Sequence, residues 1–418
     1  MSKLFYELFI RLYPFAIKLS APFNQKARAW LNGRKDIYQK LSHVIRTGEK
    51  LIWMHCASLG EFEQGRPVLE KLKNDSSTDH KILITFFSPS GYEVRKNFEG
   101  ADYIFYLPMD SKVNARRFFE IVQPSLVLLV KYEFWYHYIK EAKQRNVPLV
   151  LISGIFRPDQ PFFNWYGGLH RQMLSCFTHF FVQNQHSADL LKQIGIINNV
   201  TISGDTRFDR VIKIAEQFAP IPLIEAFCGG ADVIVAGSTW TEDDKELDHF
   251  ANSNPAIKFI IAPHNIVKDR IEECLHLYKN SITYSQIKTG AVPKNVNTLI
   301  IDNVGMLSKL YKYATICYVG GAFGADGVHN VLEPAVYGKP VLFGPEFEKF
   351  FEAEELVETQ GAISIDNALE LEDELRKLLK KDTYYTIAAK AAEKYVYSKS
   401  GSTLQIVQYI YENRLLTS

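Results

Sequence analysis

Cysteine is scarce in this chain. The five cysteines, Cys56, Cys176, Cys228, Cys274 and Cys317, are scattered and form no C-x-x-C pair. That spacing offers neither a disulfide framework nor a thiolate metal site, and it reads as reduced thiols. Histidines do not cluster at metal-ligand spacing either, so no metal site is expected. Net charge is nearly absent as well, with a formal +1 over 418 residues. A global polyelectrolyte surface for nucleic acid is thereby excluded. No uninterrupted apolar run reaches the about 20 residues that a membrane-spanning helix needs. No small-residue cleavage site marks a secretory signal, and neither repeats nor low-complexity tracts occur. The length suits two or three domains with sizeable cores.

The first fifty residues depart from this neutrality. Ten Lys or Arg residues face three acids there, a local excess of seven positive charges. Leu4, Phe5, Tyr6, Leu8, Phe9, Ile10, Leu12, Tyr13, Phe15 and Ile17 are interleaved with them, interrupted by Glu7, Arg11 and Pro14. Such a basic, aromatic-rich segment predicts a helix lying on an anionic membrane surface. The alternative is an amphipathic helix packed on its own domain.

From residue 51 onward, short apolar runs alternate with helix-length amphipathic segments. Strands are expected at Leu51–His55, Ile82–Phe86, Tyr103–Tyr106, Leu126–Val130, Leu149–Ser153, Phe180–Val182 and Thr201–Ser203. A second series is expected at Val233–Ala236, Phe259–Ala262, Thr283–Tyr284, Leu299–Ile301, Ile316–Val319, Val341–Phe343 and Ala362–Ile365. This alternation implies parallel sheets with right-handed crossovers. Phe218-Ala219-Pro220-Ile221-Pro222 has the composition of a linker. The expected division is a basic helical segment over 1–50, one doubly wound α/β domain over 51–215 and a second over 216–418, the two facing a central cleft. Ligands of such sheets bind beyond the C-terminal strand ends.

Polar residues occupy those ends. After the first strand comes Ser58-Leu59-Gly60-Glu61, where Glu61 is either a general base for an alcohol or a favourable charge on a helix N-terminus. After the fourth stand Lys131 and Glu133, two apart and so on one face, which leaves a structural ion pair open. Arg207 follows the seventh strand and is available to a negative leaving group. In the second half, Ser238 and Thr239 of Gly237-Ser238-Thr239 offer hydroxyls to a phosphate, and the acids behind them suit a helix N-terminus. Pro263-His264-Asn265 and Val304-Gly305-Met306 follow further strands, and in His329-Asn330-Val331-Leu332-Glu333-Pro334 a polar triplet opens a helix. There His264 can face a base or a phosphate, a planar base can rest at the 304–306 corner, and Glu333 can chelate ribose hydroxyls. Gly-rich turns of this kind also occur without any ligand.

Taken together and in this order, Ser58–Glu61, Gly237–Thr239, His329–Pro334 and Gly344-Pro345 resemble the bacterial Kdo (3-deoxy-D-manno-octulosonic acid) transferases. The resemblance spans nearly the whole chain. It implies the GT-B fold and an inverting, metal-independent glycosyltransferase with no cofactor. CMP-Kdo is then the donor and a lipid A precursor the acceptor, at the cytoplasmic face of the bacterial inner membrane. On that resemblance Glu61 is the general base, with Glu133 and Arg207 assisting the transition state. Pro263 and His264, Val304, Gly305 and Met306, and Asn330, Val331, Leu332 and Glu333 contact CMP, and Ser238 and Thr239 stabilise the leaving phosphate. Two departures stand out: His264-Asn265 replaces an Arg-His pair, and Arg207 replaces a lysine. A sugar-nucleotide epimerase of the same fold and a non-catalytic membrane-associated nucleotide-binding scaffold are the alternatives. Consumption of CMP-Kdo with and without lipid separates them.

Overall fold

The computed structural model describes residues 3–75, 79–290, 293 and 295–416. It divides into two compact units, residues 1–209 with 400–418, and residues 210–399. In the first unit, β1 (Leu51–Cys56), β2 (Lys81–Phe86), β3 (Tyr103–Tyr106), β4 (Pro124–Val130), β5 (Leu149–Gly154), β6 (His179–Val182) and β7 (Val200–Ile202) form one parallel sheet. The strand order is β3-β2-β1-β4-β5-β6-β7. In the second, β8 (Val233–Thr239), β9 (Lys258–Pro263), β10 (Ser281–Thr283), β11 (Thr298–Ile300), β12 (Ile316–Val319), β13 (Val341–Phe343) and β14 (Ala362–Ser364) form another. Its order is β10-β11-β9-β8-β12-β13-β14. The order reverses between β1 and β4 in the first sheet and between β8 and β12 in the second, whose edge strands β10 and β11 are in addition exchanged. The β1/β4 and β8/β12 reversals are the switch points at which open α/β sheets hold ligands.

Both sheets are covered on two faces, so the strands read as continuous apolar runs. Along β1, Leu51 and Trp53 enter one core, while Ile52, Met54 and Cys56 enter the other. Along β8, Val233 and Val235 pack opposite to Ile234 and Ala236. This two-residue alternation fixes the register, because a one-residue slip would exchange the faces.

The first four helices, α1 (Lys3–Ser20), α2 (Gln25–Arg34), α3 (Ile37–Val44) and α4 (Leu59–Lys73), belong to the first unit. Residues 1–50 are therefore not a separate segment. Tyr6 and Ile10 of α1, Trp30 of α2 and Ile37 and Leu41 of α3 are buried in the core of the first unit. Tyr6 Oη donates to Asp110 at 2.5 Å and accepts from the Tyr136 amide at 3.2 Å. The expected N-terminal membrane helix is not supported as a span. Among the described residues, no helix is long and apolar enough to cross a membrane.

The domain boundaries also differ from the expectation. One helix, Thr206–Glu216, runs through the transition at residues 209 and 210, and the Pro-containing stretch 218–222 lies within the second unit. The C-terminal helix Ser402–Glu412 belongs to the first unit rather than the second. Its Ile406, Val407 and Ile410 complete the core over Ile52, Met54 and Val68.

Candidate functional site

At the β1/β4 switch point the chain leaves β1 through Ala57 and Ser58 into α4. Glu61, in the first turn of α4, accepts hydrogen bonds from the Ala57 amide and, at 3.3 Å, from the Ser58 amide. The carboxylate thus caps its own helix, one of the two roles read from the sequence. It is also chemically poised. Burial, and then the charge of Glu133, push its pKa up to about 8, against the opposing pull of the two amides and Lys131. A carboxylate so raised is a competent base near neutral pH. α4 lies close on the sheet because Gly65 has no Cβ; one there would collide with Met54 Sδ.

Glu133 follows β4. Its carboxylate lies 2.9 Å from His55 Nε2 and accepts the Trp135 indole N–H at 2.6 Å. His55 is fully buried, and its Nδ1 lies 2.8 Å from Thr85 Oγ1, which also accepts the Trp53 indole at 2.8 Å. His55 and Trp135 therefore hold Glu133 in place. Sequence reading left both out of the site. The available signal was a polar residue inside the apolar run Leu51–Cys56. Lys131, beside this pair, occupies left-handed backbone with φ 61°, a conformation that concentrates at functional sites. The Arg207 side chain is held by Asp205, at 2.9 Å from Nε and 2.8 Å from a terminal nitrogen, and Asp205 also accepts from Gln64 of α4 at 2.7 Å.

The second unit assembles its residues at the β8/β12 switch point. Ser238 takes left-handed backbone (φ 57°) at the end of β8, and Thr239 is fully buried. Gly320, just past β12, makes this approach possible. A Cβ there would stand 2.6 Å from the Ser238 carbonyl oxygen and 2.7 Å from Thr239 Cα. The acids behind Thr239 are structural, as their sequence position suggested. Buried Asp243 accepts from the Trp240 amide at 2.8 Å, the Gly321 amide at 2.9 Å and the Tyr318 hydroxyl at 2.8 Å. Asp244 pairs with Arg270.

Three rings stack at this rim: Trp240 on His264 at 4.7 Å between centroids, and His264 on His329 at 4.4 Å and 11°. The Trp240 indole donates to His329 Nε2 at 3.2 Å. Burial, and then neighbouring His264, lower the His329 pKa to about 4, so its imidazole is neutral at pH 7. His329 and Trp240 are further residues absent from the sequence-based site. Glu333 is half-buried and accepts from Asn330 Nδ2 at 3.1 Å. Burial raises its pKa, and Arg210 opposes the rise. Its helix is one turn long, Leu332–Ala335, with Val331 and Leu332 buried. Pro263 ends β9 next to Thr239, whereas Val304 and Gly305 sit on an exposed turn before Met306. The structure thus gathers Ser238, Thr239, Pro263 and His264 at one rim.

Residues 31–210 match the family model described as 3-deoxy-D-manno-octulosonic-acid transferase (kdotransferase). The chain is 28% identical over 375 residues to a bifunctional glycosyltransferase/methyltransferase of Fusobacterium nucleatum, covering 86% of this chain but only 57% of that protein. It is 29% identical over 350 residues to a 3-deoxy-D-manno-octulosonic acid transferase of Aquifex aeolicus, covering 82% and 90% of the two chains. Among solved structures, the UDP-GlcNAc 2-epimerase of Neisseria meningitidis bound to UDP-GlcNAc superposes with a TM-score of 0.62 at 17% identity, covering 87% of this chain and all of that one. At that identity the likeness concerns the fold: two parallel-sheet α/β domains of the GT-B type.

Proposed function

We propose that the chain is a member of the 3-deoxy-D-manno-octulosonic-acid transferase family, a glycosyltransferase of lipopolysaccharide biosynthesis that moves Kdo from CMP-Kdo to a lipid A precursor. The observation carrying this reading is Glu61, raised to about 8 beside Glu133 at the switch point of the first sheet. The acceptor's hydroxyl oxygen attacks the anomeric carbon with inversion while its proton passes to Glu61. The bond from that carbon to the phosphate oxygen breaks, and CMP leaves with the electron pair. Glu133, fixed by His55 and Trp135, places negative charge where the sugar becomes cationic. Ser238, Thr239 and the His264 ring receive the phosphate, with Arg207 assisting, and the planar base rests at the corner formed by Val304, Gly305 and Met306. Glu333 holds the ribose, with Asn330 as its hydrogen-bonded neighbour.

The reading includes no metal, so transfer is expected to proceed undiminished in EDTA. Loss restored by Mg²⁺ would overturn that part. It also includes peripheral attachment to the cytoplasmic face of the inner membrane through α1. Leu4, Phe5, Leu8, Phe9, Leu12, Phe15 and Leu19 are exposed there among Lys3, Arg11 and Lys18. The deciding assay supplies CMP-Kdo with and without a lipid A precursor and weighs the products. CMP release coupled to a Kdo-sized mass gain on the lipid is expected. Consumption of the donor without lipid would sink the reading.

A further inference from the structure

Two adjoining recesses of the first unit share Lys3. One is an open groove of about 980 Å³ between α1 and the segment after β5, lined by Phe5, Pro161, Trp165, Tyr166 and Leu169 with Lys3 at its edge. Trp165 is 91% exposed and Phe5 61% exposed, so large apolar surface faces solvent there. The other recess, of about 100 Å³, is polar and lined by Lys3, Lys112, Lys140, Glu141 and Gln144 over Tyr136 and His137. Glu141 is already paired with Arg145 at 2.8 Å, and His137 Nε2 lies 2.9 Å from Glu7. Among the described residues, no carboxylate pairs with Lys3, Lys112 or Lys140. Three uncompensated ammonium groups in a small recess favour an anion, and an aromatic trough opening from the same lysine favours a hydrocarbon chain.

Both recesses are lined by segments that follow strands of the first sheet. The helix Tyr136–Gln144 begins just after Glu133 and Trp135, and the 155–167 segment leaves the C-terminal end of β5. α1 is anchored by Tyr6 on Asp110 and Tyr136. Its Tyr13 packs on Phe87 at 5.7 Å, and Phe87 on Trp135 at 4.7 Å.

We infer that these recesses form one binding site for a phosphorylated, acylated amphiphile, with the phosphate among Lys3, Lys112 and Lys140 and an acyl chain along Phe5, Trp165 and Leu169. The inference rests on the proposed glycosyl transfer in taking this molecule as the acceptor. Charge complementarity and the continuity of polar recess and apolar trough select an amphiphile over either a free anion or an apolar ligand alone.

Calorimetric titration of the full chain with dihexanoyl phosphatidic acid, kept below its micelle concentration, tests the site. Saturable binding is expected, and inorganic phosphate should bind at least about tenfold more weakly. Lys112→Ala/Lys140→Ala and Phe5→Ser/Trp165→Ser should each weaken the lipid by about tenfold or more, with thermal melting and CMP affinity unchanged. Wild-type affinity in both double variants, or phosphate binding as tightly as the lipid, would overturn the site. In transfer assays both variants should raise KM for the lipid acceptor and leave kcat near normal. Unchanged KM overturns the acceptor assignment while glycosyl transfer stands. Site-dependent lipid binding without transfer to any acceptor supports the site and counts against the proposed function instead.

Discussion

At Glu61 the environment sets both a rate and a stability. With a pKa of about 8 in the folded protein, the basic form is populated only as pH approaches and passes that value. Transfer is therefore expected to rise with pH and level off above about 8, and Glu61→Gln should lower it by about 10²–10⁴-fold, with CMP affinity retained. Near-normal turnover in that variant would leave Glu61 as a helix cap only. The stability consequence has the opposite sense. Between the ordinary carboxylate range and about 8 the unfolded chain has released this proton and the folded chain retains it, so stability falls as pH rises through that window. Glu61→Gln should accordingly melt at a higher temperature than wild type at pH 9 and near it at pH 5, and parallel melting curves at both would show that burial is not the cause. Glu333 is separable from this. Glu333→Ala should weaken CMP by roughly 1.5–3 kcal/mol, the scale of a charge-assisted hydrogen bond, and calorimetry showing equal affinity would remove it from the ribose. Glu61 draws attention in the sequence as a carboxylate just past an apolar strand, and Glu333 as one that follows the polar start of its own short helix. His55 does not, because a histidine inside a strand reads as core until its contact with Glu133 is seen.

At the scale of elements, α1 has two distinct faces. Tyr6, Ile10, Tyr13 and Ile17 recur at helical spacing and meet the core, while Phe5, Leu8, Phe9, Leu12 and Phe15 face outward. Deleting the helix would strip Tyr6 from Asp110 and uncover that core, so a truncation loses stability and cannot by itself test the proposed membrane contact. Surface substitutions separate them. Phe9→Ser/Phe15→Ser is expected to reduce sedimentation with anionic vesicles while leaving the melt within a degree or two, whereas Tyr6→Phe should cost roughly 1.5–3 kcal/mol of stability and leave sedimentation intact. Vesicle binding unaffected by the first variant would remove this face from membrane contact. The fourteen strands among the described residues lie within a few residues of the apolar runs that announced them, and the signal is longest where a strand such as β1 or β4 is buried on both faces. The segment after Asn330 was harder to read. A polar triplet before an apolar run promises a helix start, but the helix makes a single turn and Gly338 follows in left-handed backbone at φ 60°.

Over the whole molecule, the chain leaves the first unit at residue 209 and returns at residue 400. Nothing in the C-terminal sequence announced the return, because Ile406, Val407 and Ile410 follow the same period that any amphipathic helix shows. The returning segment is tied by the Gly401 and Thr403 amides, which both donate to Asp209 at 2.6 Å. It also buries Ile406, Val407, Ile410, Leu415 and Leu416 in the core of the first unit. Burial of each such side chain contributes about 1.5–3 kcal/mol. Together they are comparable to the about 5–15 kcal/mol that keeps an ordinary domain folded. A fragment of residues 1–209 is thus expected to be insoluble or molten, and to recover a cooperative melt when residues 400–418 are joined to it through a flexible linker. Residues 210–399 are contiguous, hold their own sheet and carry Ser238, Thr239, His264, His329 and Glu333. That fragment should melt cooperatively by itself and bind CMP with an affinity within about tenfold of the full chain, while the repaired first fragment binds none. Cooperative folding of 1–209 alone would show the returning helix to be dispensable, and a folded 210–399 fragment blind to CMP would remove the nucleotide from the rim at which β8 and β12 end.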